Sequence, residues 1–208
     1  MSETIKSLAD FPGNGWAWMN EPKEWSITEK KSIAITAPHA ADFFNDPATS
    51  SNVSTAPFLY TPVTGDFTAV MQLSVVMKEQ CDSACLMMWQ DEQNWAKICF
   101  EYMDKQPSIV TVITRGRSDD CVSRQVAVPD PWLRLARFGN CFAFHYSEDG
   151  IDWMIVRYFQ LDVPQEVKVG VVVQAPFGVE CKAVVDSLDI YVNTNEDVRV
   201  VDGAVRAH

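Results

Sequence analysis

Apolar and polar residues alternate along most of this chain, as they do in half-buried β-strands. Between Phe67 and Val75 the large apolar side chains occupy every second position, and a period of two places them on one face of a strand. Clusters of turn-forming residues, such as Thr64-Gly65-Asp66 and Glu148-Asp149-Gly150, separate the alternating segments. The chain therefore predicts strand after strand rather than helix.

Further segments with the same alternation predict strands at Ser32–Ala37, Ala84–Gln90, Trp95–Met103, Ser108–Thr114, Val122–Val128, Trp132–Phe138, Cys141–Ser147, Trp153–Gln160, Val167–Gln174 and Cys181–Val192. Many strands at short spacing are typical of two packed antiparallel sheets. We expect one all-β domain over residues 1–208, with a long polar loop at Pro38–Thr55 that holds a short strand at Phe43-Phe44. The tail at 194–208 is weakly patterned and is expected to fray.

The turn at Gly139-Asn140 assigns the faces of one hairpin. A two-residue turn pairs Phe138 with Cys141 and, further along, Arg134 with His145. One face of the hairpin then carries apolar side chains suited to a core: Leu133, Leu135, Phe142, Phe144 and Tyr146. The other face carries Arg134 and His145, which form either part of a site or an ordinary solvated cross-strand pair.

A second hairpin turns at Asp91–Asn94, where a four-residue loop would pair Met88 with Lys97 and Ala84 with Glu101. One predicted face then holds Trp95, Lys97 and Glu101. The opposite face, which is expected to be core, holds Cys85, Met87, Ala96, Ile98, Phe100 and Tyr102. Lys97 and Glu101 could equally pair with charges on adjacent strands as ordinary surface ions. Trp95 stands out because its neighbours on the face are charged, and an exposed indole stacks well on a sugar ring.

Composition supports a large core and excludes two classes of partner. Hydrophobic residues make up 47% of the 208 residues and aromatic residues 11%, and the net charge is −11. An acidic surface opposes binding to nucleic acid and to anionic membranes, so we expect neither partner. The first residues lack the apolar segment of a secretory signal, and Val169–Val173 is too short an aliphatic run to span a bilayer, which favours a cytoplasmic protein.

The six cysteines are expected to be reduced thiols, because a chain of this size without a secretory signal has no need of disulfides. Cys81 and Cys85 lack the Cys-x-x-Cys spacing and the second pair of a zinc site, so we expect no metal. No cofactor fingerprint is present either. The histidines His39, His145 and His208 are scattered and form no triad pattern.

Several segments in order resemble a known family. They are Asn20-Glu21-Pro22 with Trp25, Asp42-Phe43-Phe44, Gly65-Asp66-Phe67, Asp82–Met87, Asn94–Tyr102, Ile109–Arg115 with Ser118-Asp119, Arg137–Asn140 and Tyr146–Trp153. Together, over about residues 15–190, they are similar to a concanavalin A-like domain of unknown function whose members include proteins labelled as regulators of enolase. The resemblance implies a jelly-roll sandwich and no established activity. It also implies that Asp42, Lys97, Glu101, Thr114, Ser118 and Asp119 gather at the concave sheet. Where the family tends to have glycine, this chain has Cys85 and Cys99. An aromatic residue is usual at the position of Asp120.

Three functional hypotheses follow. The first is a non-catalytic domain that binds a carbohydrate or other polar small molecule. The second is a regulatory factor that binds a protein partner, and the third is an unrecognised glycan-active enzyme. A glycosidase needs two carboxylates about 5–9 Å apart, and no strand here carries such a pair. The expected ligand site on the concave sheet consists of Asp42, Trp95, Lys97, Glu101, Thr114, Arg115, Arg134 and His145.

Overall fold

A computed structural model describes residues 3–201. Its strands, in chain order, are β1 (Thr4–Ser7), β2 (Ala17–Met19), β3 (Glu24–Ile27), β4 (Ile33–Pro38), β5 (Phe43–Asn45), β6 (Asn52–Ser54), β7 (Phe58–Thr64), β8 (Phe67–Val76), β9 (Ser83–Asp91), β10 (Asn94–Met103), β11 (Gln106–Arg115), β12 (Arg117–Gln125), β13 (Trp132–Phe138), β14 (Cys141–Ser147), β15 (Met154–Gln160), β16 (Glu166–Gln174) and β17 (Glu180–Val192). A turn of 3-10 helix lies at Leu8–Asp10.

The strands form two large antiparallel sheets. The eight-stranded sheet has the order β15-β14-β13-β8-β17-β4-β3, and β1 also pairs with β17. The seven-stranded sheet has the order β12-β11-β10-β9-β16-β7-β2, while β5 and β6 form a separate hairpin. The predicted two-sheet antiparallel sandwich is therefore confirmed. No helix within residues 3–201 has the length and apolar character needed to cross a membrane.

The core lies between the two sheets and uses one face of each. Phe67 and Phe144 of the eight-stranded sheet, and Ile98 and Val171 of the seven-stranded sheet, are fully buried. Alternation along each strand leaves a second face, which points away from the opposite sheet and is called the outward face here. Each large sheet therefore has its own outward face.

The hairpin at Gly139-Asn140 has the predicted register. Phe138 pairs with Cys141, and Arg134 pairs with His145. Gly139 has a φ of 57°, a left-handed conformation that suits a tight two-residue hairpin turn. The prediction from the turn sequence is confirmed for this hairpin.

The hairpin between β9 and β10 differs from the prediction by one residue. Asn94 pairs directly with Asp91 and Trp95 pairs with Trp89, so a bulge replaces the expected four-residue loop. The carboxylate of Asp91 stabilises the tighter turn by accepting hydrogen bonds from Gln93 N at 2.8 Å and Asn94 Nδ2 at 3.0 Å. The face assignments on β10 are correct. On β9 they are inverted: Cys85 and Met87 share the outward face, whereas Leu86 and Met88 share the core face with Ile98.

Both outward faces are partly covered by chain. Residues 38–56, which include β5 and β6 and are called the covering hairpin here, lie over the seven-stranded sheet, where Asn45 N donates to Ser118 Oγ at 2.9 Å. Residues 193–201, the tail segment, lie over the eight-stranded sheet, where Val198 packs on Ala136 and Ala143. This part of the tail is thus packed rather than frayed. The remainder, 202–208 with His208, lies outside the described residues.

Candidate functional site

Lys97 is the central charged group on the outward face of the seven-stranded sheet. The residue is 2% exposed, and its ammonium donates to Phe43 O at 2.8 Å and to Gln174 Oε1 at 2.7 Å. Asp42 Oδ1 lies 3.9 Å from the same nitrogen. Burial alone would lower the pKa of Lys97, but the acidic groups around it, Cys99 and Asp42 foremost, raise the pKa above its ordinary value. The group therefore stays charged, and it binds the covering hairpin to the sheet.

Glu101 lies on the same face of β10 and is 7% exposed. Burial raises the pKa of its carboxyl group to about 7, and the nearby charges of Asp120 and Asp42 add to the rise, while Lys97 opposes it. The thiol of Cys81 lies next to this carboxyl group and opposes the rise of the pKa slightly, and its Sγ lies 3.9 Å from Met103 Sδ. Near neutral pH, Glu101 therefore exists in both protonated and ionised forms, and carboxyl groups with such perturbed pKa values are concentrated at functional sites.

A cavity of about 160 Å³ opens beside these two side chains, and we call it the outward pocket. Its polar lining comes from Asp42, Cys81, Lys97, Glu101, Asp120 and Gln174. Its apolar lining comes from Phe44, Val110, Val112, Pro176 and Phe177. Burial raises the pKa of Asp120 above its ordinary value and raises that of the Cys81 thiol to about 12. Cys81 is thus a neutral wall group rather than a nucleophile.

The structure brings three of the expected site residues to this pocket, namely Asp42, Lys97 and Glu101. Trp95 shares their face but is fully buried. The ring of Phe43 lies edge-on to it at 6.3 Å between centroids, and Lys97 Nζ lies 5.6 Å from the indole centroid. The expectation of an exposed indole that stacks on a sugar is therefore wrong, because Phe43 of the covering hairpin packs against the indole.

Thr114 and Arg115 lie beside the pocket rather than in it. Thr114 is buried, and its hydroxyl shares a 2.9 Å hydrogen bond with Ser118 Oγ, the group that also anchors Asn45. Arg115 follows on the opposite side of β11, is exposed, and donates to Gln160 O. Thr114 supports the covering hairpin, whereas Arg115 contacts a different part of the surface.

Arg134 and His145 belong to the other sheet, so the expected eight-residue site is divided. They lie on β13 and β14, where Arg134 Nη1 and His145 Nδ1 are 2.9 Å apart and Arg199 O of the tail segment lies 3.1 Å from His145 Nε2. Burial, and then the charge of Arg134, lower the pKa of His145 to about 4. The site was predicted wrongly because the alternation of apolar and polar residues indicates which face of a strand is buried. It does not indicate which of the two sheets the hairpin belongs to.

Sequence reasoning missed several pocket residues, of which Asp120 and Gln174 are the most polar. The position of Asp120 could have been predicted from the turn that precedes it. The turn at Arg115-Gly116-Arg117 fixes the register that pairs Val112 with Asp120, and Val112 lies opposite Lys97. Gln174 pairs with Ser83, which pairs with Glu101, but this neighbourhood depends on the distant pairing of β16 with β9.

A larger cleft of about 440 Å³ lies elsewhere, between Asn20–Glu24 and the residues Thr36, Pro38, Thr55, Val179 and Glu180. Its charged side chains, those of Glu21, Lys23, Glu24 and Glu180, are at least partly exposed, and none is buried as Lys97 and Glu101 are. Within residues 3–201, no group of three or more histidine, cysteine, aspartate or glutamate side chains is placed to hold a metal ion. The outward pocket is therefore the better candidate site.

Comparison with known proteins supports the resemblance seen in the sequence. A family described as "Protein of unknown function (DUF1349)" matches residues 18–192. The chain belongs to this family. A curated relative, "Regulation of enolase protein 1" of Saccharomyces cerevisiae, is 24% identical over 141 residues, which cover 67% of this chain and 71% of the relative.

Solved structures that are similar to this DUF1349 domain support the concanavalin A-like fold. A functionally unknown protein from Saccharomyces cerevisiae matches with a TM-score of 0.81 and 21% identity, over 87% of this chain and 98% of the other. The GH43 protein BlXynB from Bacillus licheniformis matches with a TM-score of 0.69 and 16% identity, over 88% of this chain but 38% of the other. Lectin I-B4 from Griffonia simplicifolia matches with a TM-score of 0.58 and 8% identity, over 89% and 97%. At these identities the likeness concerns the fold alone.

Proposed function

We propose that this DUF1349 domain is a non-catalytic binding domain that takes a small polar molecule, such as a monosaccharide, in the outward pocket. The observation that carries the proposal is the pair of buried charged side chains, Lys97 and Glu101, at a cavity open to solvent. Removing such groups from water costs free energy that apolar residues in the same positions would not cost. A site that must recognise a polar ligand has a reason to keep them.

The geometry suits a molecule with hydroxyl groups. The carboxyl groups of Asp42, Glu101 and Asp120 accept hydrogen bonds, and Phe44 and Phe177 provide apolar walls. A few polar groups set among apolar walls are typical of small-molecule sites. At about 160 Å³, the pocket is smaller than the roughly 300–1,000 Å³ typical of sites for drug-sized ligands. We therefore expect one sugar ring or a fragment of similar size.

A second candidate, glycan hydrolysis, is favoured by the raised pKa of Glu101 alone. A glycosidase uses one carboxyl group that stays protonated near neutral pH beside a second that is ionised. Glu101, with a pKa of about 7, could supply the protonated group, and Asp120 lines the same pocket, but burial raises the pKa of Asp120 as well rather than favouring its ionised form. The name of the curated relative adds a third candidate, a regulatory role in which a bound ligand alters contact with a protein partner.

Nuclear magnetic resonance tests the binding proposal. Uniformly labelled protein is titrated with glucose, galactose, xylose and glycerol, and amide shifts are mapped on the sequence. We expect saturable shifts at Lys97, Glu101 and Asp120, and loss of those shifts in Asp120→Asn. Asp119→Asn is the matched control, because Asp119 immediately precedes Asp120 on β12, does not line the pocket and pairs with Arg157 at 3.0 Å. The absence of saturable shifts in the pocket with every compound would contradict the proposal.

Turnover distinguishes the hydrolytic candidate from the binding domain. The same protein is incubated with nitrophenyl glycosides, and release of nitrophenol is followed. The binding proposal predicts no release above that of Glu101→Gln. Release by the wild-type protein that disappears in Glu101→Gln would replace the binding domain by an enzyme.

A further inference from the structure

Carboxyl groups outnumber cations in the outward pocket. Asp42, Glu101 and Asp120 line it together with Lys97. When Glu101 is ionised, the formal charge of these described lining residues is negative. A ligand that enters the pocket therefore meets a negative potential, which is strong because the site is partly withdrawn from water.

The ammonium of Lys97 is already occupied and cannot reverse this preference. It has three N–H bonds. Phe43 O and Gln174 Oε1 accept hydrogen bonds at 2.8 and 2.7 Å, and Asp42 Oδ1 lies 3.9 Å away. An anionic ligand would have to displace one of these partners while it faced the remaining carboxylates. The pocket therefore disfavours anions.

Glu101, in contrast, has hydrogen-bonding capacity to spare. Its carboxyl group has about four acceptor positions. Among residues 3–201 no N–H or O–H group donates to it, and the neighbouring Cys81 thiol, a weak donor, lies 3.9 Å from Met103 Sδ. A side chain more than nine-tenths buried that lines a cavity and lacks a strong donor is suited to a ligand that brings one, or that brings a positive charge.

The apolar walls favour the same ligand chemistry. Phe44 and Phe177 line the pocket with Val110, Val112 and Pro176. Aromatic rings attract alkylammonium groups through their negative faces, and they tolerate the methyl or methylene groups that such cations carry. Carboxylates and aromatic rings around one small cavity are the combination that recognises alkylammonium ions.

We propose that the outward pocket binds an alkylammonium group, held between the carboxylates of Glu101 and Asp120 and the rings of Phe44 and Phe177. The inference rests on the proposed function and narrows its ligand to an amine-bearing molecule. A neutral sugar or a carboxylic acid is then a poorer ligand than an amine of the same size.

Ionisation of Glu101 adjusts this preference. The groups that face Glu101 are Lys97 and Cys99 on its own strand, Cys81 before β9, Asp120 on β12 and Asp42 before β5. The lining residues from β11 and β16, which are Val110, Val112 and Gln174, are uncharged. Because the pKa of Glu101 is about 7, its negative charge increases as the pH rises through neutrality. Affinity for a permanent cation should rise over the same interval.

Three probes of nearly equal shape and different charge test the proposal: tetramethylammonium, tert-butanol and pivalate. Each is titrated into the labelled full chain, and the shifts of pocket amides give a dissociation constant. Tetramethylammonium has no proton to lose, so any pH dependence belongs to the protein. We expect it to bind at least about tenfold more tightly than tert-butanol, pivalate to cause no shift, and its affinity to rise several-fold between about pH 6 and about pH 8.

The variants locate the effect. Glu101→Gln should weaken tetramethylammonium binding at about pH 8 by roughly tenfold and flatten its pH dependence. Asp120→Asn should weaken it less, and the control Asp119→Asn, which removes the same charge outside the pocket, should weaken it least. Glu101→Gln removes a buried charge, and the position of Asp120 on an edge strand makes Asp120→Asn an independent check that does not involve the core.

The outcomes separate this inference from the proposed function. Equal binding of tert-butanol, or tighter binding of pivalate, overturns the alkylammonium inference and leaves a polar-ligand pocket in place. Amide shifts with a monosaccharide but none with tetramethylammonium would likewise overturn the alkylammonium inference and leave the proposed function in place. No pocket response to the three probes or to the monosaccharides overturns both.

Discussion

Glu101 shows how one buried carboxyl group couples folding to pH. Its pKa of about 7 in the folded chain lies above the ordinary value of about 4.3 that it has in the unfolded chain. Between these values the folded state binds the proton more strongly, so the contribution of Glu101 to stability falls as the pH rises. His145, with a pKa lowered to about 4, has the opposite slope, since its contribution is lost as the pH falls.

Because Glu101 and His145 have opposite effects on the pH dependence of wild-type stability, the contribution of Glu101 is isolated by comparing Glu101→Gln with wild type. The free energy of unfolding of the variant, relative to wild type, should increase by about 2–3 kcal/mol from about pH 5 to about pH 8. Urea denaturation at a series of pH values measures it. Glu92→Gln, at an exposed position in the β9–β10 turn, is the matched control and should show no such change. A flat difference for Glu101→Gln would mean that the carboxyl group titrates normally.

Thiol reactivity is a second prediction at the scale of residues. All six cysteines are free thiols, and Cys121 is exposed, whereas Cys85, Cys99 and Cys181 are buried. Cys81 is partly accessible, but burial raises the pKa of its thiol to about 12, so its reactive thiolate is scarce. Alkylation of the native protein followed by mass spectrometry should modify Cys121 well before Cys81. Equal rates would show that Cys81 is more acidic and more open than its surroundings allow.

At the scale of elements, the sequence predicts β4, β5 and the strands from β8 to β17, of which β12 only in its second half, and does not predict β1, β2, β3, β6 or β7. β2 has three residues, and β7 contains Pro62, which lacks the N–H of a ladder hydrogen bond. The proline is tolerated because β2 pairs with β7 only at Phe58–Tyr60 and leaves the strand edge beyond it open. A three-residue strand is too short to show an alternating pattern, and a proline within a segment argues against a strand. For these reasons neither β2 nor β7 was predicted.

The covering hairpin illustrates what the sequence shows of the site and what it does not. A strand at Phe43-Phe44 was predicted and is present as β5. Its position over Trp95 could not be predicted, because Phe43 O and Lys97 Nζ meet across 54 residues of chain. Local alternation correctly grouped Trp95, Lys97 and Glu101, but only the packing of a distant segment decides which of them contacts solvent.

Phe43→Ala tests the covering hairpin. Phe43 is fully buried between Phe58 and Trp95, so its truncation should lower the free energy of unfolding by about 3–5 kcal/mol. Phe177→Ala is the control: Phe177 is 68% exposed, and we expect a change within about 0.5 kcal/mol. Chemical denaturation measures both. Equal effects at the two positions would show that the hairpin is not anchored to the sheet.

At the scale of the whole molecule, the two outward faces of the sandwich differ: one carries the outward pocket and the covering hairpin, and the other is covered by the tail segment. The chain passes between the sheets more than once, so that β13 and β14 belong to the eight-stranded sheet while β9 to β12 belong to the seven-stranded sheet. The length of a turn predicts the register of the two strands that it joins, but not the sheet to which those strands belong. For this reason the pairing of Arg134 with His145 was predicted correctly, whereas the site to which the two residues were assigned lies on the other sheet.

The tail segment seals one of those faces, and its removal is testable. A chain that ends at Asn193 would lose Val198 from its contact with Ala136 and Ala143 and would expose His145. The pKa of His145 should then rise from about 4 towards the ordinary value of about 6.5, because burial is the main cause of its lowering. Titration of the imidazole resonances by nuclear magnetic resonance measures the change. An unaltered pKa would mean that Arg134 alone accounts for it.

The position of the tail segment also determines how the molecule can be attached to something else. Arg199 O contacts His145 on the outward face of the eight-stranded sheet, while the outward pocket opens on the opposite side of the sandwich. A tether that starts at Val201 therefore leaves from the side remote from the pocket. Immobilised through that end on a sensor chip or a bead, the domain would present its binding cavity to the passing solution, whereas a linkage through an engineered cysteine at Phe177 would block the entrance.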